Sequence, residues 1–335
     1  MQTSLPEHKT KVLITVDTEF SMGGFFNGNN HMPVPAERRV YCKVRGKDYG
    51  INLIMDILDE YGLRGIFFVE TEARHYFGET KILDIIGEIR KRNHEVQLHI
   101  HPTFRFFLKR ERTSDDMRKY SFEKQTEMLE DALGFLRKGG VSEILAFRPG
   151  NFNANDDTLR AARNSGLKFT STTNLAFKNR YNISSTDPVQ NDIHPLHQVI
   201  ETPVTCFRQF PIRKRWGSFQ ICAASYREMK QALIFYHEQK LQVATFLTHS
   251  FELVRGQGPQ FVKIRPSKTL IERLRRIARF LADTTSRFDV VTYQDLDELI
   301  KQEAVRLTPK LTKYYKSSLI ATLQRYLLNL LSRRF

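Results

Sequence analysis

The sequence predicts an α/β fold: about seven parallel strands, each followed by a helix, closing into a (β/α) barrel with a basic amphipathic helix added at the C-terminus. Three observations predict it. Short apolar runs alternate with segments of helical periodicity along most of the chain. Little sequence lies between them for hairpins, so successive strands are expected to run in the same direction. About seven β–α units are too many for a small open sheet.

The elements follow in order. "VLITV" (12–16) is an unbroken β-favouring run and reads as a strand. "GINLIMDILDEYG" (50–62) carries apolar residues at helical spacing and stops at glycine. "GIFFVE" (65–70) is a strand, "KILDIIGEIRKRN" (81–93) an amphipathic helix, and "EVQLHIH" (95–101) a strand with period two. "FEKQTEMLEDALGFLRKGG" (122–140) is a helix ended by paired glycines, and "EILAFR" (143–148) a strand. "NDDTLRAARNSG" (155–166) opens with an asparagine cap signal, and "LKFTSTT" (167–173) and "VIETPV" (199–204) are short strands. A helix at 225–240, a strand at 242–248, a helix at 267–285 and a last strand at 288–293 complete the pattern. The longest stretch without structure, Ser21 to Gly50, follows the first strand, and loops of that length are commonly functional.

At 335 residues, with 41% hydrophobic and 27% charged, the chain reads as a globular protein able to bury a sizeable core. Its net charge of +15 favours polyanionic partners without choosing among nucleic acid, anionic membrane and acidic glycan. Cys42, Cys206 and Cys222 are odd in number and lack metal-type spacing. A disulfide framework is not expected, and a reducing compartment is. The N-terminal residues lack the apolar stretch of a signal peptide, and no window is long and apolar enough to span a bilayer. The expectation is a cytoplasmic protein, at most peripheral to the inner face of a membrane.

In such folds the C-terminal ends of the strands build the site. The first strand ends in Asp17 and Glu19, two carboxylates on one face. The third ends in His99 and His101, again on one face, and the fourth in Arg148 followed by Pro149-Gly150. The strand at 242–248 leads into His249. Two imidazoles near one or two carboxylates match the ligand set of a divalent metal such as zinc. Two like charges side by side also need a cation between them. One carboxylate then binds metal while the other takes a proton from water, with Arg148 orienting it. His94, at the wrong end of its strand, reads as structural.

"TVDTEF", "HEVQLHIHP", "FRPGNF" and "FLTH", in that order, resemble the motifs of the polysaccharide deacetylase superfamily over roughly residues 10–300. The resemblance implies a distorted (β/α) barrel and a divalent metal, usually zinc, that serves removal of acetyl groups from sugars. Residue by residue, it implies Asp17 as catalytic base, Arg148 as the arginine that holds it, and His249, with Leu247 in the Leu-x-His motif, as general acid. Glu19 and His99 fall at metal-ligand positions. Three positions depart from the family pattern. Thr18 stands where the metal-binding aspartate usually follows the base, which leaves Glu19 as that ligand. Thr103 stands where the second metal histidine usually lies, and face geometry assigns His101 instead. Thr170 stands where related sequences often carry an aspartate, which leaves His249 without an assigned partner.

Residues 301–335 are read as a basic helical extension to the 10–300 barrel. Segment 307–335 has no acidic residue. Leu311, Tyr315, Leu319, Leu323, Tyr326, Leu327 and Leu330 form a helical stripe, with Lys310, Lys313, Lys316, Arg325, Arg333 and Arg334 supplying charge. Such a helix lies on an anionic membrane or packs on the barrel. "FRQFPIRKRWG" (207–217) is a second basic cluster, suited to an acidic glycan or to solvent. The leading expectation is a metal-dependent carbohydrate deacetylase acting on an acetylated sugar or glycan intermediate. The alternatives are hydrolysis of a non-sugar amide on the same scaffold, a barrel that has lost catalysis, and a non-catalytic basic protein binding anionic membrane or nucleic acid. No nucleic-acid motif is present, so nucleic acid is not an expected partner.

Overall fold

The computed structural model describes residues 8–25, 31–109, 114–184, 190–209, 215–308 and 313–334. Strand β1 (Thr10–Thr18) is buried along its whole length. Around it run β2 (Ile66–Glu70), β3 (Glu95–Ile100), β4 (Ala146–Pro149), β5 (Phe169–Thr170), β6 (Val199–Glu201) and β7 (Val243–His249). The sheet order is β7-β1-β2-β3-β4-β5-β6, and every one of these pairings is parallel. Seven of the eight strands read from periodicity form this order, and the eighth, Phe288–Val290, pairs in parallel with the start of β1. Closure is partial. Between β6 and β7 there is no ladder; two isolated parallel bridges onto β7, Val204 to Thr245 and Gln220 to Leu247, take its place, with Thr205 N–H donating to Thr245 O at 3.1 Å. Strands β5 and β6 are too short to form a full wall, and this distorts the barrel.

Helices α1 (Ile51–Glu60), α2 (Glu79–Lys91), α3 (Phe122–Lys138), α4 (Asp156–Asn164), α5 (Tyr226–Glu238), α6 (Lys268–Asp283), α7 (Tyr293–Lys301) and α8 (Leu319–Arg334) follow the strands or close the fold. Asn155 caps α4 and Ser225 caps α5 in reciprocal capping boxes, as the local sequence signals. Not everything was anticipated. Antiparallel pairs join Cys206–Arg208 to Trp216–Ser218 and Val254–Gln257 to Val262–Pro266. His194–Leu196 pairs antiparallel with β6, so hairpins do find room. The last strand is short (Phe288–Val290) and pairs with the start of β1, and Tyr293 begins α7 instead of ending that strand.

Alternation along the strands creates two layers. Val12, Ile14 and Val16 of β1 pack with the buried faces of the helices. Leu13 belongs instead to an inner cluster with Ile66, Phe68, Ala146, Phe169 and Tyr293. Tyr293, fully buried, plugs the N-terminal end of the barrel, its ring 5.9 Å from Phe68 and 5.2 Å from Phe169. Continuing along the inner faces, Leu13 is followed by Thr15 and Asp17, Phe68 by Glu70, Gln97 by His99, and Ala146 by Arg148. The barrel interior is apolar at its floor and charged at its mouth.

Candidate active site

Strand register brings the charged residues level. Asp17 lies opposite His249, Glu70 opposite His99, and His99 opposite Arg148. Every sequence-predicted site residue, Asp17, Glu19, His99, His101, Arg148 and His249, reaches this one mouth.

Arg148 is fully buried and Asp17 nearly so. Arg148 Nη1 donates to Asp17 Oδ1 at 2.5 Å and to Thr15 Oγ1 at 3.0 Å, while Nη2 donates to Ser171 Oγ at 3.0 Å. Its guanidinium lies 4.3 Å from the Phe68 ring centroid. A planar fork that meets three oxygens and one ring face is a task for arginine and not for lysine.

Glu19 Oε1 stands 3.4 Å from His99 Nε2, 3.4 Å from His101 Nε2 and 3.6 Å from His249 Nε2. His99 Nδ1 donates to Arg148 O at 2.8 Å, and His101 Nδ1 to Asp115 Oδ2 at 2.8 Å. Both partners are acceptors, so Nδ1 carries the proton in each ring and Nε2 faces the carboxylate. Two lone pairs against one carboxylate oxygen require positive charge among them, supplied by extra protons or by a cation. The donor atoms of Glu19, His99 and His101 lie within 4.8 Å of one another, and those of Asp17, Glu19 and His249 do likewise. This donor set fits a divalent metal such as zinc, with each histidine oriented from behind by an oxygen.

The charges hold one another. Burial works against the Glu19 carboxylate, but His249 and then the two strand-β3 imidazoles outweigh it and hold its pKa well below the usual range. Burial likewise opposes protonation of His101, and Asp115 and Glu19 reverse this, raising its pKa well above the ordinary value. For His249, burial is outweighed by Glu19, Glu252 and Asp17, which push its pKa up to about 9.

Several members of the site were not named from sequence. Glu252 accepts from His249 Nδ1 at 2.8 Å and from Gln220 Nε2 at 2.5 Å, and so supplies the missing partner of His249. The H-x-x-E spacing of "HSFE" is the signal that was there to read. Asp115 comes from a loop and is held by Thr103 Oγ1 at 2.6 Å. Thr103 thus occupies a family ligand position while orienting the aspartate that orients His101. The stretch expected to lack structure holds a short helix, Ala36–Arg39, and its last residue, Arg39, places Nη2 3.8 Å from Glu19 Oε2 and lies over the Phe251 ring at 3.1 Å. Glu70 ends β2 by the same strand-end rule. Burial lifts its pKa to about 8, against the opposing charge of His101.

"TSTT" proves to be a cradle: Thr170, Thr172 and Thr173 hydroxyls and the Thr172 and Thr173 amides all donate to buried Glu201. In "FRPGN", Gly150 is needed because a Cβ there would come within 2.5 Å of the His101 ring. Asn151 and Phe152 follow with φ of 55° and 58°, a backbone conformation that costs energy and turns the chain across the mouth.

The mouth opens into a cleft of about 230 Å³ whose lining includes Asp17, Glu19, Arg39, Asn151, His249 and Phe251. Phe152 and Phe177 stack beside it, 6.1 Å apart and 13° from parallel. One further acid–histidine group, Glu72, His75 and Asp131, already has its cations, because Arg74 and Arg105 both bridge Glu72 and Asp131.

No family model matches the sequence, and no curated protein matches it significantly. Solved structures do match in fold. A Mycobacterium smegmatis protein assigned as a polysaccharide deacetylase superposes with a TM-score of 0.57 at 14% identity, over 93% of this chain and 96% of that one. A 4-alpha-glucanotransferase from Thermococcus litoralis superposes with a TM-score of 0.52 at 11% identity, over 90% of this chain but only 41% of its own length. A family 4 carbohydrate esterase from Streptomyces lividans, solved with acetate, follows more loosely, with a TM-score of 0.44 at 11% identity over 91% of this chain and all of that one. The chain therefore has the fold of the polysaccharide deacetylases, the family its motifs resemble. The same architecture also serves a glucanotransferase, so the chemistry must be argued from the site.

Proposed function

We propose that this protein is a metal-dependent hydrolase that removes an acetyl group from an acetylated sugar or glycan intermediate. One observation carries the reading. A guanidinium-held carboxylate, a Glu/His/His donor set and a carboxylate-held histidine face one another across a single cleft.

A divalent metal, zinc foremost, held by Glu19, His99 and His101 would polarise the acetyl carbonyl and make water a stronger acid. Asp17, kept in place by Arg148, takes the proton of the attacking water. Oxygen adds to the acetyl carbon, and the C–N or C–O bond to the sugar then breaks. His249 gives its Nε2 proton to the departing nitrogen or oxygen, so that acetate and the freed sugar leave with atoms and charge balanced. Glu252 fixes the His249 ring from Nδ1. Phe152, Phe177 and Phe251 offer flat apolar surface suited to a pyranose face. The reading takes the cytoplasm as the place of work, with the free thiols of Cys42, Cys206 and Cys222 supporting a reducing compartment.

The test is metal content together with acetate release from a panel of N- and O-acetylated sugars. About one metal per chain is expected, and Asp17→Asn should lower turnover about 10²- to 10⁴-fold. A protein that holds no stoichiometric metal and releases no acetate with zinc or cobalt supplied would overturn the reading.

A pH profile examines the acid. As the acid, His249 must be protonated, so activity should fall on the alkaline side; in the metal-free protein Glu19, Glu252 and Asp17 outweigh burial and raise its pKa to about 9. Glu252 is one of the charges that raise this pKa, so Glu252→Gln should move the alkaline limb towards lower pH and leave the acid limb in place. An alkaline limb that stays put in Glu252→Gln would remove His249 from the role of acid.

A further inference from the structure

Helix α8 is mounted inside out. Among its described side chains Ala321, Thr322 and Arg325 are buried, while Leu319, Ile320, Leu323, Tyr326 and Leu327 are between 41% and 64% exposed. At 100° per residue the exposed apolar residues fill a sector of about 120°, and the buried ones lie opposite. A helix packed on a globular body normally turns its apolar stripe inward.

Polar contacts hold it in this orientation. Arg325 Nη1 donates to Ala223 O at 3.0 Å, and its Nε lies 3.7 Å from Glu228 Oε2. Ser317 Oγ donates to Glu228 Oε1 at 3.0 Å, and Tyr315 OH to Gln231 Oε1 at 2.5 Å. Just before the helix, Arg208 N donates to Tyr315 O and Ser317 N to Arg208 O, both at 2.8 Å. The buried Arg325–Glu228 contact and its neighbouring hydrogen bonds set the face that is presented outward.

We propose that this face docks on an anionic phospholipid bilayer. Charge selects the occupant. From Ala304 to Phe335 the chain has no Asp or Glu. Lys313 and Lys316 are exposed ahead of the helix. A groove of about 660 Å³ that includes Gln324 of α8 is lined by Arg227, Lys230 and Arg276 against the single acid Glu272. A second copy seated on this face would set basic segment against basic segment in a chain of net charge +15, which opposes association. A lipid surface offers apolar depth for the leucines and phosphate for the cations, with Tyr326 suited to the boundary. Among the described residues no helix is long and apolar enough to cross a membrane. Lys310 and Leu311, and the side chains of Leu330, Arg333 and Arg334, belong to the same segment but lie outside the described residues, as do residues 210–214 of the second basic cluster.

The proposal goes beyond the deacetylase reading and stands without it. The test is co-sedimentation of the full chain with vesicles of phosphatidylcholine alone and of phosphatidylcholine with phosphatidylglycerol. The protein should bind the anionic vesicles at about 0.1 M salt and release at about 0.5 M. Leu323→Glu/Leu327→Glu should weaken binding at least about tenfold. Lys313→Ala/Lys316→Ala should weaken it about twentyfold. Both variants should keep the wild-type melting temperature, because the altered side chains lie outside the core. Wild-type protein that stays in the supernatant with anionic vesicles overturns the proposal, as do vesicle binding unchanged in the leucine variant and vesicle binding unchanged in the lysine variant. Light scattering adds one more overturning result: a wild-type dimer that the leucine variant splits, without vesicle binding, makes the face an interface between copies.

Discussion

An Arg148→Met protein is expected to be about 3–5 kcal/mol less stable than the wild type, and inactive. The guanidinium is fully buried and meets Asp17, Thr15 and Ser171. Removing it leaves the nearly buried Asp17 carboxylate without its hydrogen-bonded counter-charge, the His249 imidazole at 3.9 Å being the nearest cation left, and breaking a buried pair from one side costs far more than the net worth of the intact pair. For a chain of this length the loss corresponds to roughly 5–15 °C in melting temperature. Arg148→Lys should also fail, because an ammonium cannot serve three oxygens and lie flat over Phe68. The double variant Asp17→Asn/Arg148→Met should be more stable than Arg148→Met alone, since it removes the stranded charge as well. That non-additivity is the signature of a pair acting as a unit. Denaturant unfolding of the wild type, Asp17→Asn, Arg148→Met and the double variant measures it. An Arg148→Met protein that unfolds with the wild type, or a double variant whose loss is the sum of the singles, would show that the two groups are not coupled.

The pair was legible in sequence because a strand has a fixed period. Once "VLITV" is read as a strand, Asp17 and Glu19 fall on one side, and the same rule places His99 and His101 together. Parallel strands with helical crossovers then deliver their C-terminal ends to one mouth, so residues 80 or 130 positions apart become neighbours without any contact being predicted. The rule reaches Glu70 too, but a single acid at a strand end carries no signal alone.

What the period cannot reach is the material between strands. Asp115 comes from a loop and Arg39 from the four-residue helix Ala36–Arg39 within the long connection, where position depends on packing and not on repeat, and their roles lie in distances to His101 and Glu19. Barrel closure has the same cause. Isolated bridges at Val204 and Gln220 are tertiary events beyond the end of a three-residue strand, and no count of β–α units anticipates them. In α8 the stripe was legible and its direction was not. The orientation is fixed by Arg325 meeting Glu228, two residues nearly a hundred positions apart in sequence.

The same loop residue, Asp115, governs the expected binding of zinc. In the metal-free protein His101 is held protonated, because Asp115 and Glu19 outweigh the cost of burying its charge. A nitrogen that ligates metal must give up its proton. Below the raised pKa of His101, each ion bound therefore displaces a proton, and affinity should rise about tenfold per pH unit across that range. The sign for stability runs the other way in the absence of metal. The raised pKa values of His101 and His249 stabilise the fold below the unfolded-state value of about 6.5, and this is lost as pH climbs through the folded values, about 9 for His249. Metal-free protein should thus weaken in alkaline solution, while the stabilisation gained from a fixed excess of zinc grows with pH. Asp115→Asn separates the causes. It removes the leading charge that keeps His101 protonated, so fewer protons are released and the pH slope flattens. It also loosens the ring and lowers zinc affinity about 10- to 100-fold at high pH. Titration calorimetry in two buffers of different ionisation enthalpy counts the protons, and chelator competition gives the affinities. Zinc binding that releases no proton, or that survives His99→Ala and His101→Ala undiminished, would place the ion elsewhere and leave Glu19 and its imidazoles as a network of hydrogen-bonded charges.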